Sequence, residues 1–452
     1  MNEDAAAAPT HRPAKLRRRR RARSRPRVYR IPFETYLITL AAAFALSVAI
    51  SLLNRPREIV YDPPHAFGVR DPTFLPSVQA TEIPSAVRGN RVSILANGVE
   101  IFPAMLSAIA AAQKSVSLEA YIFWSDAVGA RFRDALTERA SHGVEVRVLL
   151  DGVGSPKRLS RSDVETLRRA GCRVEFFRPI RPWMLDVING RTHRRILVVD
   201  GKVGFTGGVG IAKEWEGEAD SPDHWRDTVV RLEGPVVAQM QSAFQDNWSE
   251  VTGELLIGDK YFPAIPPAGD VLAAIVPSSP RASSSASQTL YSVAISAAER
   301  SISLSNSYFV PNPASVALLT AASRRGVNVR ILVPGPINDI PATKASGRSS
   351  FGDLLRAGAK IYEYQPTMMH AKTMIVDGTF ATVGSTNFDN RSFRYNDEID
   401  AAVFDRGLAR RLEQMFETDL EKSRPYTYQQ WIHRPALKRF TEWLLLPVRS
   451  VL

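Results

Sequence analysis

The sequence predicts an α/β protein built from two homologous halves, preceded by one membrane-spanning helix. Three observations carry this reading: a histidine motif that occurs twice, a self-similarity extending well beyond that motif, and an uncharged run of 18 residues at Tyr36–Leu53.

The motif runs His193-Arg194-Arg195-Ile196-Leu197-Val198-Val199-Asp200 and returns as His370-Ala371-Lys372-Thr373-Met374-Ile375-Val376-Asp377. Residues i and i+2 of a strand share one face, so each copy sets an imidazole beside a cation, His193 with Arg195 and His370 with Lys372. A Gly207-Gly208 or Gly384-Ser385 turn follows and lets a substrate approach the backbone. Imidazole next to fixed positive charge suits a phosphodiester, whose own charge must be screened before a nucleophile can reach phosphorus.

The self-similarity surrounds the motif. Ala108–Leu118 reappears as Ala294–Leu304, Gly143–Leu149 as Gly326–Leu332, and Arg169-Ala170-Gly171 as Arg356-Ala357-Gly358, at offsets of 186, 183 and 187 against 370 − 193 = 177 for the histidines. Offsets that drift so little mean two related halves differing by loop insertions. Each half reads helix, apolar strand, helix, then a Gly-Val-x-Val-Arg strand, which is α/β alternation. A chain of 452 residues with 44% hydrophobic content can fill two cores, and the expected domains are 91–258 and 259–420. One cysteine, Cys172, excludes an internal disulfide framework, and no metal-ligand spacing surrounds the histidines.

The second motif matches the His-x-Lys-x4-Asp signature in full and continues through Gly384-Ser385-Thr386-Asn387 to Asn396-Asp397-Glu398, so the chain resembles the phospholipase D superfamily in its bacterial cardiolipin-synthase branch. Glu119–Asp126, Asp151–Ser155, Trp225–Thr228 and Tyr308–Asn312 also resemble that branch, which extends the likeness over residues 90–420. The first copy departs twice, with Arg195 for lysine and Gly210 where many members have asparagine. Arginine keeps its charge and grips phosphate in a bidentate way, so the first change is tolerable. Gly210 loses a side-chain contact and makes the halves unequal.

The resemblance implies two phospholipase D-like domains related by a pseudo-two-fold axis, each a sheet flanked by helices. It implies transfer of a phosphatidyl group to the headgroup alcohol of phosphatidylglycerol, without a cofactor, through a phosphohistidine. His193 is expected to attack and His370 to carry the proton, with Arg195 and Lys372 holding the phosphate and Ser385 and Asn387 assisting. Glu398 is expected to orient His370 and Asp227 to orient His193, while Asp200 and Asp377 complete the motifs in support. Hydrolysis of phospholipids by the same residues is the alternative, and a non-catalytic lipid-binding role is a third reading.

Charge separates this chain from nucleic-acid enzymes. Residues 1–30 hold 11 Lys and Arg against Glu3 and Asp4, a local +9, which leaves about +3 of the total +12 for everything else. A protein that neutralises many nucleic-acid phosphates needs a basic body, not a basic tail. The expected plan is a basic cytoplasmic arm (1–35), a transmembrane helix (36–53) and a linker containing six prolines (54–90), with a cleaved signal peptide or a buried helix as alternatives for the apolar run. The basic flank before the span puts the N-terminus in the cytoplasm and the catalytic body outside, on a bacterial inner membrane. The tail, 421–452, has helical spacing of Leu437, Phe440 and Leu444 and is expected either to dock on the core or to lie in the lipid interface.

Overall fold

The computed structural model describes residues 61–80, 83–180, 190–279 and 286–445, with a few positions between 34 and 46. The span expected at 36–53 lies outside the described residues apart from those isolated positions. Among the described residues no helix is long and apolar enough to cross a membrane.

After the short helix α1 (Phe74–Gln79), the first half runs β1 (Val87–Ala96), α2 (Asn97–Ala110), β2 (Ser115–Ala120), α3 (Ala127–Ser141), β3 (Glu145–Asp151), α4 (Arg161–Arg169), β4 (Arg173–Phe177), β5 (Ile196–Val199), β6 (Val203–Gly207), β7 (Thr228–Glu233) and α5 (Val237–Thr252). The second half repeats this order as β8 (Val271–Ser278), α6 (Ala286–Ser296), β9 (Ser301–Asn306), α7 (Pro313–Arg324), β10 (Asn328–Pro334), α8 (Pro341–Arg348), α9 (Phe351–Arg356), β11 (Lys360–Tyr364), β12 (Lys372–Val376), β13 (Phe380–Gly384), α10 (Asn390–Arg394), β14 (Glu398–Phe404) and α11 (Arg406–Glu421). The chain then adds β15 (Ser423–Tyr426), α12 (Tyr428–Ile432) and α13 (Ala436–Leu445).

All the strands join one sheet whose order mirrors itself. Outward from the central antiparallel pair β1–β8, one side runs β1-β7-β6-β5-β2-β3-β4 and the other β8-β14-β13-β12-β9-β10-β11, with β15 extending the second edge. In each half the three strands linked by helices pair in parallel, β2-β3-β4 and β9-β10-β11, and the motif strands join antiparallel. Helical crossovers are what parallel neighbours require.

The apolar runs of the motifs serve two cores at once. Leu197 and Val199 pack under α2, α3 and α4, while Ile196 and Val198 face the opposite way into a core shared by both halves. In the second motif Met374 and Val376 join the core beneath α6 and α7, and Ile375 joins the shared one with Val383, Ile399 and Ala401. A strand buried on both faces reads as an unbroken apolar run, which is why these segments stand out in the sequence.

Two expectations about the flanks need correction. Residues 61–80 are not free linker: Val69, Phe74 and Val78 are buried in the second half's outer core, and His65 Nδ1 lies 2.7 Å from the Ser296 carbonyl. The segment is a packed strap instead of a spacer. The segment from 421 also does not begin as a separate tail, because β15 pairs antiparallel with β11 from Ile361↔Tyr426 to Tyr364↔Ser423 and completes the sheet edge.

Candidate active site

Each motif is a strand followed by a tight hairpin. Asp200 and Gly201 have φ of +52° and +64°, Asp377 and Gly378 have +53° and +62°, and the Lys202 and Thr379 amides donate across the turns to Val199 and Val376. Positive φ at both central residues is the type I′ geometry for which Asp-Gly is suited. The Asp200 carboxylate accepts from the amides of Gln113, Lys114 and Ser115, and Asp377 from those of Glu299, Arg300 and Ser301. Both aspartates therefore belong to the far ends of their strands, where they fix the entry to β2 and β9. Neither aspartate is placed to touch a substrate in the cavity, and the support each gives is structural.

At the other ends of β5 and β12 the two histidines open onto one cavity of about 490 Å³. His193 Nδ1 lies 2.9 Å from both carboxyl oxygens of Glu398, and His370 Nδ1 lies 2.7 Å from Asp227 Oδ2. The expected partners are thus exchanged: each histidine is held by the acid of the other half. Backbone pairing between the halves is the reason. The His193 amide donates to the Asp397 carbonyl at 2.8 Å, and the His370 amide to the Arg226 carbonyl at 2.7 Å, so each motif starts against the segment that carries the other half's acid. With Nδ1–H committed to a carboxylate, Nε2 of each ring holds the lone pair.

The cations sit where strand periodicity placed them. Arg195 donates from Nη1 to the His193 carbonyl at 2.7 Å and from Nη2 to His193 Nε2 at 2.9 Å, while its buried Nε has no partner among the described residues. Lys372 Nζ repeats the carbonyl contact, at 2.6 Å from His370 O, and lies over the ring edge, 2.9 Å from His370 Nδ1 and 3.2 Å from Nε2. Asn387 lines the cavity and accepts from Ser307 Oγ at 2.8 Å. Ser385 does not face the cavity. Fully buried, it donates to Glu398 Oε2 at 2.5 Å and accepts from the Ile399 amide, so its place is to fix Glu398.

Trp215 is the residue that sequence reasoning missed. It sits on a single 3₁₀ turn, Lys213–Trp215, donates Nε1–H to Asp227 Oδ2 at 2.9 Å and meets the His370 ring edge-on at 5.1 Å, while Trp225 stacks on that ring at 5.3 Å. Gly210 accounts for it, since a Cβ at Gly210 would lie 2.8 Å from Trp215 Cζ3. The departure from the family pattern is thus the clearance for an indole, and that was the available signal. Gly208 serves the same end, because a Cβ there would lie 2.3 Å from Asp227 Oδ1. Tyr121, Tyr308, Asp389 and Arg391 also line the cavity.

The electrostatics of the two sides differ. Burial, then the charges of Arg195 and Lys372, holds His193 far below the ordinary imidazole value, and burial with Lys372 lowers His370 to about 3 against the pull of Asp227. Burial also lowers Lys372 to about 7 and raises Glu398 to about 7 despite the hydrogen bond from Ser385. Asp227 goes the other way. Burial pushes it up, but the hydrogen bond with His370, the charge of Lys372 and the Thr228 amide outweigh that and leave it below the usual carboxylate range. The resting site therefore has two neutral imidazoles, one backed by a carboxylate and the other by a carboxyl near neutrality.

Residues 105–248 and 291–420 each match the family described as cardiolipin synthase, PLD-like domain. A probable cardiolipin synthase of Bacillus subtilis is 37% identical over 80% of this chain and 72% of its own length. The major cardiolipin synthase of the same organism is 36% identical over 78% and 73%. Among solved structures, the phosphatidylserine synthase of Haemophilus influenzae superposes with a TM-score of 0.65 over 84% of this chain and all of that one, at 13% identity, which is a likeness of fold. With two matching domains, a mirrored α/β sheet and relatives aligned over most of its length, the chain belongs to the cardiolipin synthase family of phospholipase D-like proteins.

Proposed function

We propose that this protein is a membrane-anchored phosphatidyltransferase that makes cardiolipin, or a related phospholipid, from phosphatidylglycerol. The observation that carries the proposal is the pair of histidines on one cavity, each held through Nδ1 by an acid from the opposite half. His193 is the nucleophile: Glu398 holds its Nδ1–H, which leaves the Nε2 lone pair for phosphorus once the Arg195 contact turns to the phosphate. His370 is the proton carrier, because the anionic Asp227 stabilises an imidazolium when one forms.

In the first step His193 Nε2 attacks phosphorus as the bond to the glycerol oxygen breaks, and protonated His370 supplies the proton that makes the leaving group an alcohol. In the second, neutral His370 takes the proton of the acceptor hydroxyl, whose oxygen attacks phosphorus and releases His193. Arg195, through its unpartnered Nε, and Lys372 offset the charge gathering on the non-bridging oxygens. A bound phosphodiester also raises His370 and Lys372 toward their charged forms, so the substrate readies its own acid.

The anchor is residues 36–53, supported by 18 uncharged residues behind an arm of net +9, which puts the catalytic body on the outer side of a bacterial inner membrane. The deciding experiment supplies labelled phosphatidylglycerol to the full chain in vesicles. Cardiolipin with released glycerol supports transfer; phosphatidic acid in its place means that water is the acceptor and the protein is a hydrolase. Loss of either product in His370→Ala excludes a non-catalytic role.

A further inference from the structure

Helix α13 is turned inside out for a protein surrounded by water. Its one acidic side chain, Glu442, is buried against the body and pairs with Arg434 at 2.8 Å, while Leu437, Phe440, Trp443 and Leu444 are 75%, 57%, 64% and 58% exposed. At 100° per residue these four side chains fall within one arc of roughly 120°, opposite Glu442. An apolar stripe facing outward on a helix whose polar side docks inward marks an interaction surface.

The surroundings of the stripe choose the occupant. Lys438 and Arg439 flank it, and beside α13 lies a cleft of about 1020 Å³ lined by Lys344, Arg348, Arg424, Arg434 and Lys438 against two carboxylates, Glu363 and Glu442. A second groove, of about 510 Å³, runs from Arg439 to Phe440 and Trp443. Exposed leucines and aromatic rings bordered by cations match the boundary between acyl chains and anionic headgroups. A copy of this chain would bring the same cations against themselves.

The stripe is also tied to the active site. Helix α8 separates the two: Ile340 and Thr343 at its start line the histidine cavity, whereas Lys344, Ala345 and Arg348 line the basic cleft. We propose that α13 and the basic cleft form a docking surface for an anionic bilayer, seating the body with its histidine cavity near the lipid from which substrate is drawn. This contact does not depend on the transfer chemistry.

The test uses the full chain in vesicles, with Trp443→Cys carrying an environment-sensitive dye. Labelling is site-specific because the lone native Cys172 is buried at 3% exposure. Glu165→Cys on α4, which flanks β4 at the opposite sheet edge, is the control. In phosphatidylglycerol vesicles the dye at 443 should be quenched by spin-labelled acyl chains and shielded from iodide, and the dye at 165 should not. Lys438→Gln with Arg439→Gln should lower the docked-to-free ratio roughly thirtyfold, about fivefold per cation. His370→Ala should dock unchanged even if the proposed transferase reading fails. Equal iodide quenching at 443 and 165, equal docking on phosphatidylcholine alone, or concentration-dependent shielding without lipid would each overturn the proposal, the last by identifying a second copy as the occupant.

Discussion

At the scale of the residue, the two acids are not equivalent although each holds a histidine through the same nitrogen. Asp227 stays anionic and Glu398 titrates near 7, so their amide variants should separate. Asp227→Asn removes the charge that supports the His370 imidazolium and should lower kcat about a thousandfold or more in a phosphatidyl-transfer assay. Glu398→Gln imitates the protonated form already present up to about pH 7 and should lose much less; equal losses would contradict the division of roles. Lys372 titrates near 7 as well, because burial and the charge of Arg195 disfavour its ammonium. Its charge is present below that value and lost above it, so kcat/KM should fall as pH rises past about 7. Lys372→Arg keeps its charge, and its alkaline limb should move upward in a pH profile.

At the scale of the element, the motif divides into a chemical end and a structural end. The cations two residues after the histidines were legible because strand periodicity alone puts them on one face. The aspartates could be found but not assigned from sequence, since nothing in the spacing distinguishes a reacting carboxylate from one that caps three amides at a hairpin. Asp377→Ala leaves those donors unpaired and should cost about 1–3 kcal/mol or more in stability, seen as a lower thermal midpoint, while kcat per folded molecule is kept. Gly210 looks in the sequence like a lost contact, whereas in the fold it leaves room for Trp215. A glycine reports only that something must approach; which ring approaches is a tertiary fact.

At the scale of the whole molecule, duplication was plain in the sequence and exchange between the halves was not. Glu398 follows His370 closely in the chain, yet it binds His193 across 205 residues, and Asp227 reaches His370 across 143. The mirrored sheet makes that exchange, and linear spacing carries no trace of a symmetry axis. One consequence is that the site is complete within a single chain. Mixing His193→Ala with His370→Ala should therefore restore no activity, whereas a site shared between two chains would regain a measurable fraction in the same assay.

The account rests on His193 and His370 taking different parts in one covalent cycle. A phosphatidyl ester of p-nitrophenol tests this directly, because its leaving group departs without an acid while release from the enzyme still requires a base. Given this substrate, His370→Ala should liberate about one p-nitrophenolate per chain and stall, with a phosphatidyl adduct on His193 in peptide mass spectra. Steady turnover without an adduct, or an adduct on His370 in the unaltered protein, would contradict it.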